Sequence, residues 1–432
     1  MLLLPGGGSG CVSHENVPAP KEQRVTSHGT PGRPAPPPGL PAQNGARPAR
    51  PRLVVLDGLR LVAALSVVVY HYTAGADRYW RNPGLHTFPT ISAVTKYGWL
   101  GVELFFLISG FVICMSSWDR GLGDFLVSRV SRLYPAYWFA VLFTTAVMWL
   151  APTPIRSAPK PYQVLANLTM MQTGIGSGDI DGPYWTLWRE LLFYLLFAVV
   201  VWRGVNYRRT VVFCVIWLAT IALTWTNGGF FGGVLDPRYS VYFIAGIAVY
   251  LMHRFRPTAL LWGLVGVCWL LGLYGLPPQL PYLEIYLHTH VSWTVSAVIV
   301  TACFATIIAV GLGWLNRIQW RWLTPAGALT YPLYLIHATL GLTVIWYLSL
   351  LVPKYLLVAG LIVAVLGLAW LIHRFVERPV ARRLRRGLLT GVADLRHATD
   401  PPVREQRASI RTDLLKTDES PAQRATPADT AG

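Results

Sequence analysis

Residues 53–74 read LVVLDGLRLVAALSVVVYHYTA, an apolar run interrupted by Asp57, Arg60 and His71. A helix needs about 20 mainly apolar residues to cross the hydrocarbon core of a bilayer, and core helices of soluble proteins rarely sustain that length. Similar runs follow at 98–118, 134–151, 184–202, 210–226, 238–252, 258–275, 290–312, 328–349 and 354–375, which makes ten candidate spans. Composition agrees, since 53% of the 432 residues are hydrophobic and 13% charged, against roughly 25% charged in an average soluble protein. The expected fold is all-α, a polytopic integral membrane protein with about ten transmembrane helices.

The chain is basic, with 37 Lys+Arg against 20 Asp+Glu. If the N-terminus is cytoplasmic, 19 arginines between Arg47 and Arg386 fall at the inner ends of the spans. Only Arg78, Arg81, Lys96, Arg156, Lys160, Arg238 and Lys354 fall outside. The positive-inside rule then places both termini in the cytoplasm of a cell (plasma) membrane protein. The same asymmetry accounts for the charge without nucleic acid.

Residues 1–50, with PGRPAPPPGLPAQNG at 31–45, have no apolar face to bury and are expected to form a disordered Pro/Gly-rich cytoplasmic arm. Residues 51–380 form the membrane domain, and 381–432 a basic and then disordered cytoplasmic tail, without sustained periodicity beyond about 387. Cys114, Cys214, Cys268 and Cys303 fall in or at the ends of spans, and their spacing suggests neither disulfide nor metal. Asn167–Thr169 is a glycosylation sequon, a pattern common by chance.

Ionisable groups inside spans are costly and mark functional candidates. Arg60 and His71 are eleven residues apart. On a helix that is about 1100° of rotation and about 16 Å of rise, so both line one face at different depths. A pantetheine arm has comparable length, so a CoA whose phosphates meet Arg60 would present its thioester near His71. The same placement suits an arginine snorkelling to inner headgroups and a histidine anchored at outer ones. Glu103 and Ser109 lie in the next apolar run, and no basic residue stands within a turn of Glu103. Arg129 and Arg132 share one side of a helical turn, an arrangement suited to a phosphate cluster or to lipid headgroups. Thr186, Glu190 and Tyr194 recur on one helix face, as do Thr330, Tyr334 and His337. Two histidines, two carboxylates and several arginines fit proton handling beside a polyanionic ligand, in an enzyme or in a proton-coupled transporter.

In this setting the sequence resembles the acyltransferase-3 family. Arg60 and His71 match its R-x10-H pair, and GVELFFLISGF (101–111) its G-V-[DE]-x-F-F-x-x-S-G-F motif. RVSR (129–132) matches R-x-x-R, YWTLWRE (184–190) W-S-L-x-x-E, and YLIH (334–337) Y-L-x-H, while FVERP (375–379) resembles the usual exit from the last helix. Thr186 stands where the family usually has Ser and keeps the hydroxyl. The motifs run in family order over about three quarters of the chain.

The resemblance implies acyl transfer from cytoplasmic acyl-CoA to a hydroxylated acceptor, whether saccharide, lipid or glycosylated metabolite, with the bilayer as setting. No bound cofactor or metal is implied. The residues supply a consistent mechanism. His71 would be general base, with Glu103 or Glu190 as the carboxylate of the catalytic set that orients it. Arg60, Arg129 and Arg132 would hold CoA phosphates, while Ser109, Tyr194, Tyr334 and His337 would bind substrate or stabilise the oxyanion.

Overall fold

The computed structural model describes residues 53–81, 87–225 and 236–399. The expected arm at 1–50 and the tail beyond Thr399 lie outside them. The chain forms α1 (Val54–Tyr72), α2 (Gly101–Ser117), α3 (Leu122–Leu150), α4 (Trp185–Trp202), α5 (Tyr207–Thr224) and α6 (Pro237–Arg254). It continues through α7 (Ala259–Tyr274), α8 (Trp293–Gly311), α9 (Leu323–Leu348), α10 (Lys354–Ile372) and α11 (Arg378–Thr399). Helices satisfy every backbone group within the segment, the condition lipid imposes. Leu142, Val199, Ile216, Leu223 and Val363 point outward, where acyl chains replace water.

Among the described residues, nine helical stretches are long and apolar enough to cross a membrane. The expected span at 238–252 is helical too, as α6, but falls outside that group. It carries Arg238, Ser240, His253 and Arg254, and every residue from Ser240 to Met252 is buried. A helix wrapped by protein needs no lipid-compatible face. Its partner is α2, against which the backbones nearly touch. A Cβ added to Gly110 would lie 2.1 Å from the Phe243 carbonyl oxygen, and one added to Gly246 would lie 2.1 Å from that of Leu107. Small residues at a crossing substitute close packing for the hydrophobic drive that lipid removes.

The α1–α9 pair sets the chemistry. Gly327 admits Asp57 and Gly341 admits the Tyr72 ring, and the Tyr72 hydroxyl donates to the His337 carbonyl at 2.9 Å. Contacts between loops respect the expected alternation of sides. Segments expected on the outer side meet one another, as in Lys96 to His290, Lys354 to Thr87 and Tyr347 to Pro152. Segments expected on the inner side do the same, as where the Arg254 guanidinium lies 4.6 Å from the Trp118 ring centroid.

The outer segment between α3 and α4 is tied to α9. Asp181, fully buried, accepts from the Thr339 hydroxyl at 2.8 Å and the Thr339 N–H at 3.2 Å. Arg156 donates to the Asp179 carbonyl at 2.7 Å and stands 3.9 Å from Asp181. Burial pushes the Asp181 carboxyl above the usual carboxylate range, and Arg156 opposes the shift. Asp181→Ala removes the acceptor of two buried donors and should cost about 2 kcal/mol, read as a lower thermal midpoint in detergent. An unchanged midpoint would show the tie to be incidental.

Two readings change in this light. Asn167 is buried, donates to the Gln163 and Gly178 carbonyls and accepts the Ile180 N–H, so the sequon asparagine is a loop strut. The expected loss of periodicity beyond 387 is not seen: α11, entered through a π-helical turn at His373–Glu377, runs to Thr399 and packs on α3.

Candidate active site

Two cavities meet inside the bundle. The outer one, about 460 Å³, is walled by His71, Glu103, Tyr70, Trp99, Trp185 and Tyr286 among others. All its lining outside Tyr334 comes from the outer ends of helices or the loops between them. The inner one is a slot of about 80 Å³ lined by Arg60, Ser109, Arg132, Thr186, Glu190 and Thr330 among others. Val102 and Tyr334 line both and form the partition. Tyr334 is held upright there by the Thr186 hydroxyl at 3.0 Å and by the Phe105 ring edge.

At the partition, His71 and His337 pair. His71 Nδ1 lies 2.9 Å from the Val67 carbonyl and 3.2 Å from His337 Nε2. His337 Nδ1 lies 2.8 Å from the Tyr334 carbonyl. A carbonyl can only accept, so each Nδ1 is assigned the proton. His337 Nε2 is then an acceptor, and His71 Nδ1–H is shared between it and Val67. That leaves His71 Nε2 as a bare lone pair, with no hydrogen-bond partner among the described residues, on a side chain that lines the outer cavity. A neutral imidazole locked in this tautomer is what a general base requires.

The sequence-derived candidates separate. Arg60, Ser109, Arg132, Glu190 and Tyr334 converge on the inner slot; His71 and Glu103 face the outer cavity. Neither carboxylate hydrogen-bonds to His71. The side chain that hydrogen-bonds to His71 is instead His337, which is fully buried and lines neither cavity. Glu190 accepts from Ser109 Oγ at 2.9 Å and, through a short contact, from the Tyr194 hydroxyl. Tyr194 thus braces a carboxylate rather than lining a cavity. The arginine pair is split as well. Arg132 lines the slot, whereas Arg129, buried, donates to Ser116 and Ser128 at 3.1 and 3.2 Å and lies over the Phe125 and Tyr194 rings. Sequence reasoning passed over Trp99 and the outer-loop aromatics, although Trp99 sits only four residues before Glu103. Among the described residues, no cluster of metal-ligating side chains occurs.

Comparisons with known proteins give the family. The family model described as an acyltransferase domain matches residues 53–374. The chain is 29% identical to Acyltransferase MdmB of Streptomyces mycarofaciens over 157 residues, 34% of this chain and 39% of that protein. It is 33% identical to the Exopolysaccharide production protein ExoZ of Rhizobium meliloti (strain 1021) over 123 residues, 27% of this chain and 38% of that one. It therefore spans less than two fifths of the length of either relative. Protein 2 in picA locus of Rhizobium radiobacter is 29% identical over 173 residues, 34% of this chain and 81% of that protein. No solved structure matches. With the match running from the start of α1 to just past the end of α10, this multi-pass membrane protein belongs to the acyltransferase-3 family.

Proposed function

We propose that the protein moves an acyl group, acetyl or another short acyl, from cytoplasmic acyl-CoA to a hydroxyl of a carbohydrate, envelope or glycosylated natural-product acceptor. One observation carries this reading. A cationic slot holding Arg60 and Arg132 shares a wall with a cavity that holds a histidine bearing a bare Nε2. The slot would take only the pantetheine arm of the donor, and the nucleotide would stay at the inner mouth with its phosphates on the guanidiniums. The acceptor enters from the outer cavity. His71 Nε2 takes its hydroxyl proton as the oxygen attacks the thioester carbonyl; the C–S bond then breaks and the proton passes from His71 to the departing thiolate. Tyr334, in the partition, would turn its hydroxyl from Thr186 to the carbonyl oxygen as charge develops there. Acyl-CoA is a substrate here, and no prosthetic group is required. Family membership favours acyl transfer over proton-coupled transport, and the name of the exopolysaccharide relative supports a saccharide acceptor.

The test is thiol release. Purified protein in nanodiscs, given acetyl-CoA and a saccharide acceptor, should liberate CoA in proportion to acceptor acylated; acceptor-independent release alone would sink the proposal. Arg132→Ala should raise the KM for acyl-CoA roughly tenfold while kcat holds, since it removes binding common to ground and transition states. A collapse of kcat with unchanged KM would place Arg132 in the chemical step.

The orientation, with both termini in the cytoplasm of the plasma membrane, belongs to the same proposal and rests on the arginine asymmetry. Ile285, 71% exposed beside the outer cavity, becomes the probe. Ile285→Cys in intact cells should react with an impermeant maleimide. Reaction only after the membrane is opened would invert the topology and the donor side with it.

A further inference from the structure

The last span does not stop where its apolar run stops. α10 passes through the π-helical turn His373–Glu377 into α11 without a loop, so α11 begins at whichever membrane surface α10 reaches. At this junction Trp370 and Phe375, both exposed, meet edge-on with ring centroids 6.3 Å apart. Exposed aromatic rings at the end of a span mark the level where hydrocarbon gives way to headgroups. From Arg374 to Arg386 the chain carries Arg374, Arg378, Arg382, Arg383, Arg385 and Arg386, and every one of them is exposed. Arg378, Arg382, Arg385 and Arg386 recur at i, i+4, i+7 and i+8 and so form one stripe along the helix. Val380, Leu384 and Leu388, on another side, are partly buried, and α11 packs on α3. The stripe is the side left to the surroundings. Glu377, the one carboxylate in the same stretch, is engaged by His373 Nδ1 at 2.8 Å, and His373 Nε2 accepts from Arg378 Nε at 2.9 Å. Among the described residues, no carboxylate forms an ion pair with any of these arginines. Like charges a helical turn apart repel. A layer of anions beside them turns that repulsion into attraction.

We propose that the arginine stripe of α11 binds the headgroups of anionic phospholipids in the leaflet where α10 ends. A guanidinium offers paired donors that match phosphate oxygens, and a basic cluster just beyond a span is drawn to an anionic surface. Position favours lipid over a soluble polyanion. Arg378 lies three residues past Phe375, within one turn of the aromatic pair, at a depth where headgroups are always present. The stripe lies apart from both cavities, and the inference depends neither on the acyl-transfer reading nor on which side of the membrane is cytoplasmic.

The test is lipid binding by the full chain. Purified protein in a neutral detergent is titrated with phosphatidylglycerol and, separately, with phosphatidylcholine, and bound lipid is counted by native mass spectrometry. Phosphatidylglycerol should bind at least about tenfold tighter, and the preference should shrink as salt rises. Replacing Arg382, Arg385 and Arg386 together by Gln should weaken phosphatidylglycerol binding roughly 10- to 100-fold, since each basic residue near an anionic surface is worth about fivefold. Replacing Arg208, Arg256 and Arg317 by Gln removes the same charge from three other exposed positions and should change binding by less than about threefold. Circular dichroism and elution volume establish that both variants are folded. Equal losses in the two triple variants would reduce the preference to net charge. That result, no preference in the wild type, or binding unmoved by the first triple variant overturns the proposal. Glycerophosphoglycerol, the same headgroup without acyl chains, serves as competitor. Displacement of the lipid by an equal concentration of it would make the stripe a site for soluble phosphates and overturn the lipid assignment.

Discussion

His71→Ala should leave a folded, membrane-inserted protein that binds acyl-CoA and transfers almost nothing. A sugar hydroxyl is far too weak an acid to attack a thioester unaided, and loss of a positioned base typically costs 10²- to 10⁴-fold in rate. The geometry sharpens the expectation. The Nε2 lone pair is free because Nδ1 is committed to Val67 and His337, so the variant loses the one nitrogen that faces the acceptor. Donor affinity should be spared, since Arg60 and Arg132 sit across the partition. Acceptor-dependent CoA release by purified His71→Ala, with acyl-CoA binding as control, reads both halves. Near-normal turnover would reduce His71 to an anchor at the headgroups. His337→Gln offers a graded companion: it leaves the base in place but unlocked, and it should lower kcat more than it changes either KM.

Gly246→Leu should prevent assembly altogether. Even the first atom of the side chain would stand 2.1 Å from the Leu107 carbonyl oxygen and 2.9 Å from the Phe111 nitrogen, both backbone atoms that no rotamer can move. Overpacking ordinarily costs about 1 to 3 kcal/mol because side chains give way; here only the helices can, and α2 carries Glu103 and Ser109 into the two cavities. The variant should be recovered as aggregate or degraded, with no monodisperse peak in detergent chromatography. A well-folded Gly246→Leu protein would show that the crossing has slack. Gly263→Leu, at a position where an added Cβ meets nothing within 4 Å, is the matched control and should fold.

Much of the architecture is legible before any coordinates, because lipid imposes one rule on every span and length suffices to apply it. α6 shows where that rule stops. Its composition is set by neighbouring helices, yet the run at 238–252 is still readable as a helix. Within a helix, periodicity does well: Arg60 and His71 do share one side of α1, and Thr186 and Glu190 do line one slot. Between helices it is blind. Glu103 and His71 look like a natural pair from depth alone, yet no hydrogen bond joins them, and the Glu103 Oε2 is sealed among protein atoms. Only the glycine crossings that bring α9 against α1 put His337 there instead. The same limit separates Arg129 from Arg132. Three residues apart on α3, one is claimed by Ser116 and two aromatic rings while the other reaches the slot.

The partition of Val102 and Tyr334 has a bearing on the cell's economy of coenzyme. On the proposed reading, the two reactants approach from opposite faces of the membrane and touch only across one layer of side chains. The acyl group then emigrates while its carrier never leaves the cytoplasm. Nothing as large as a nucleotide has to be exported to modify a molecule at the far surface, and the spent thiol is returned on the side where it is recharged. Such a protein is vectorial without being a transporter, because what crosses is a fragment of two or a few carbons, exchanged between bonds.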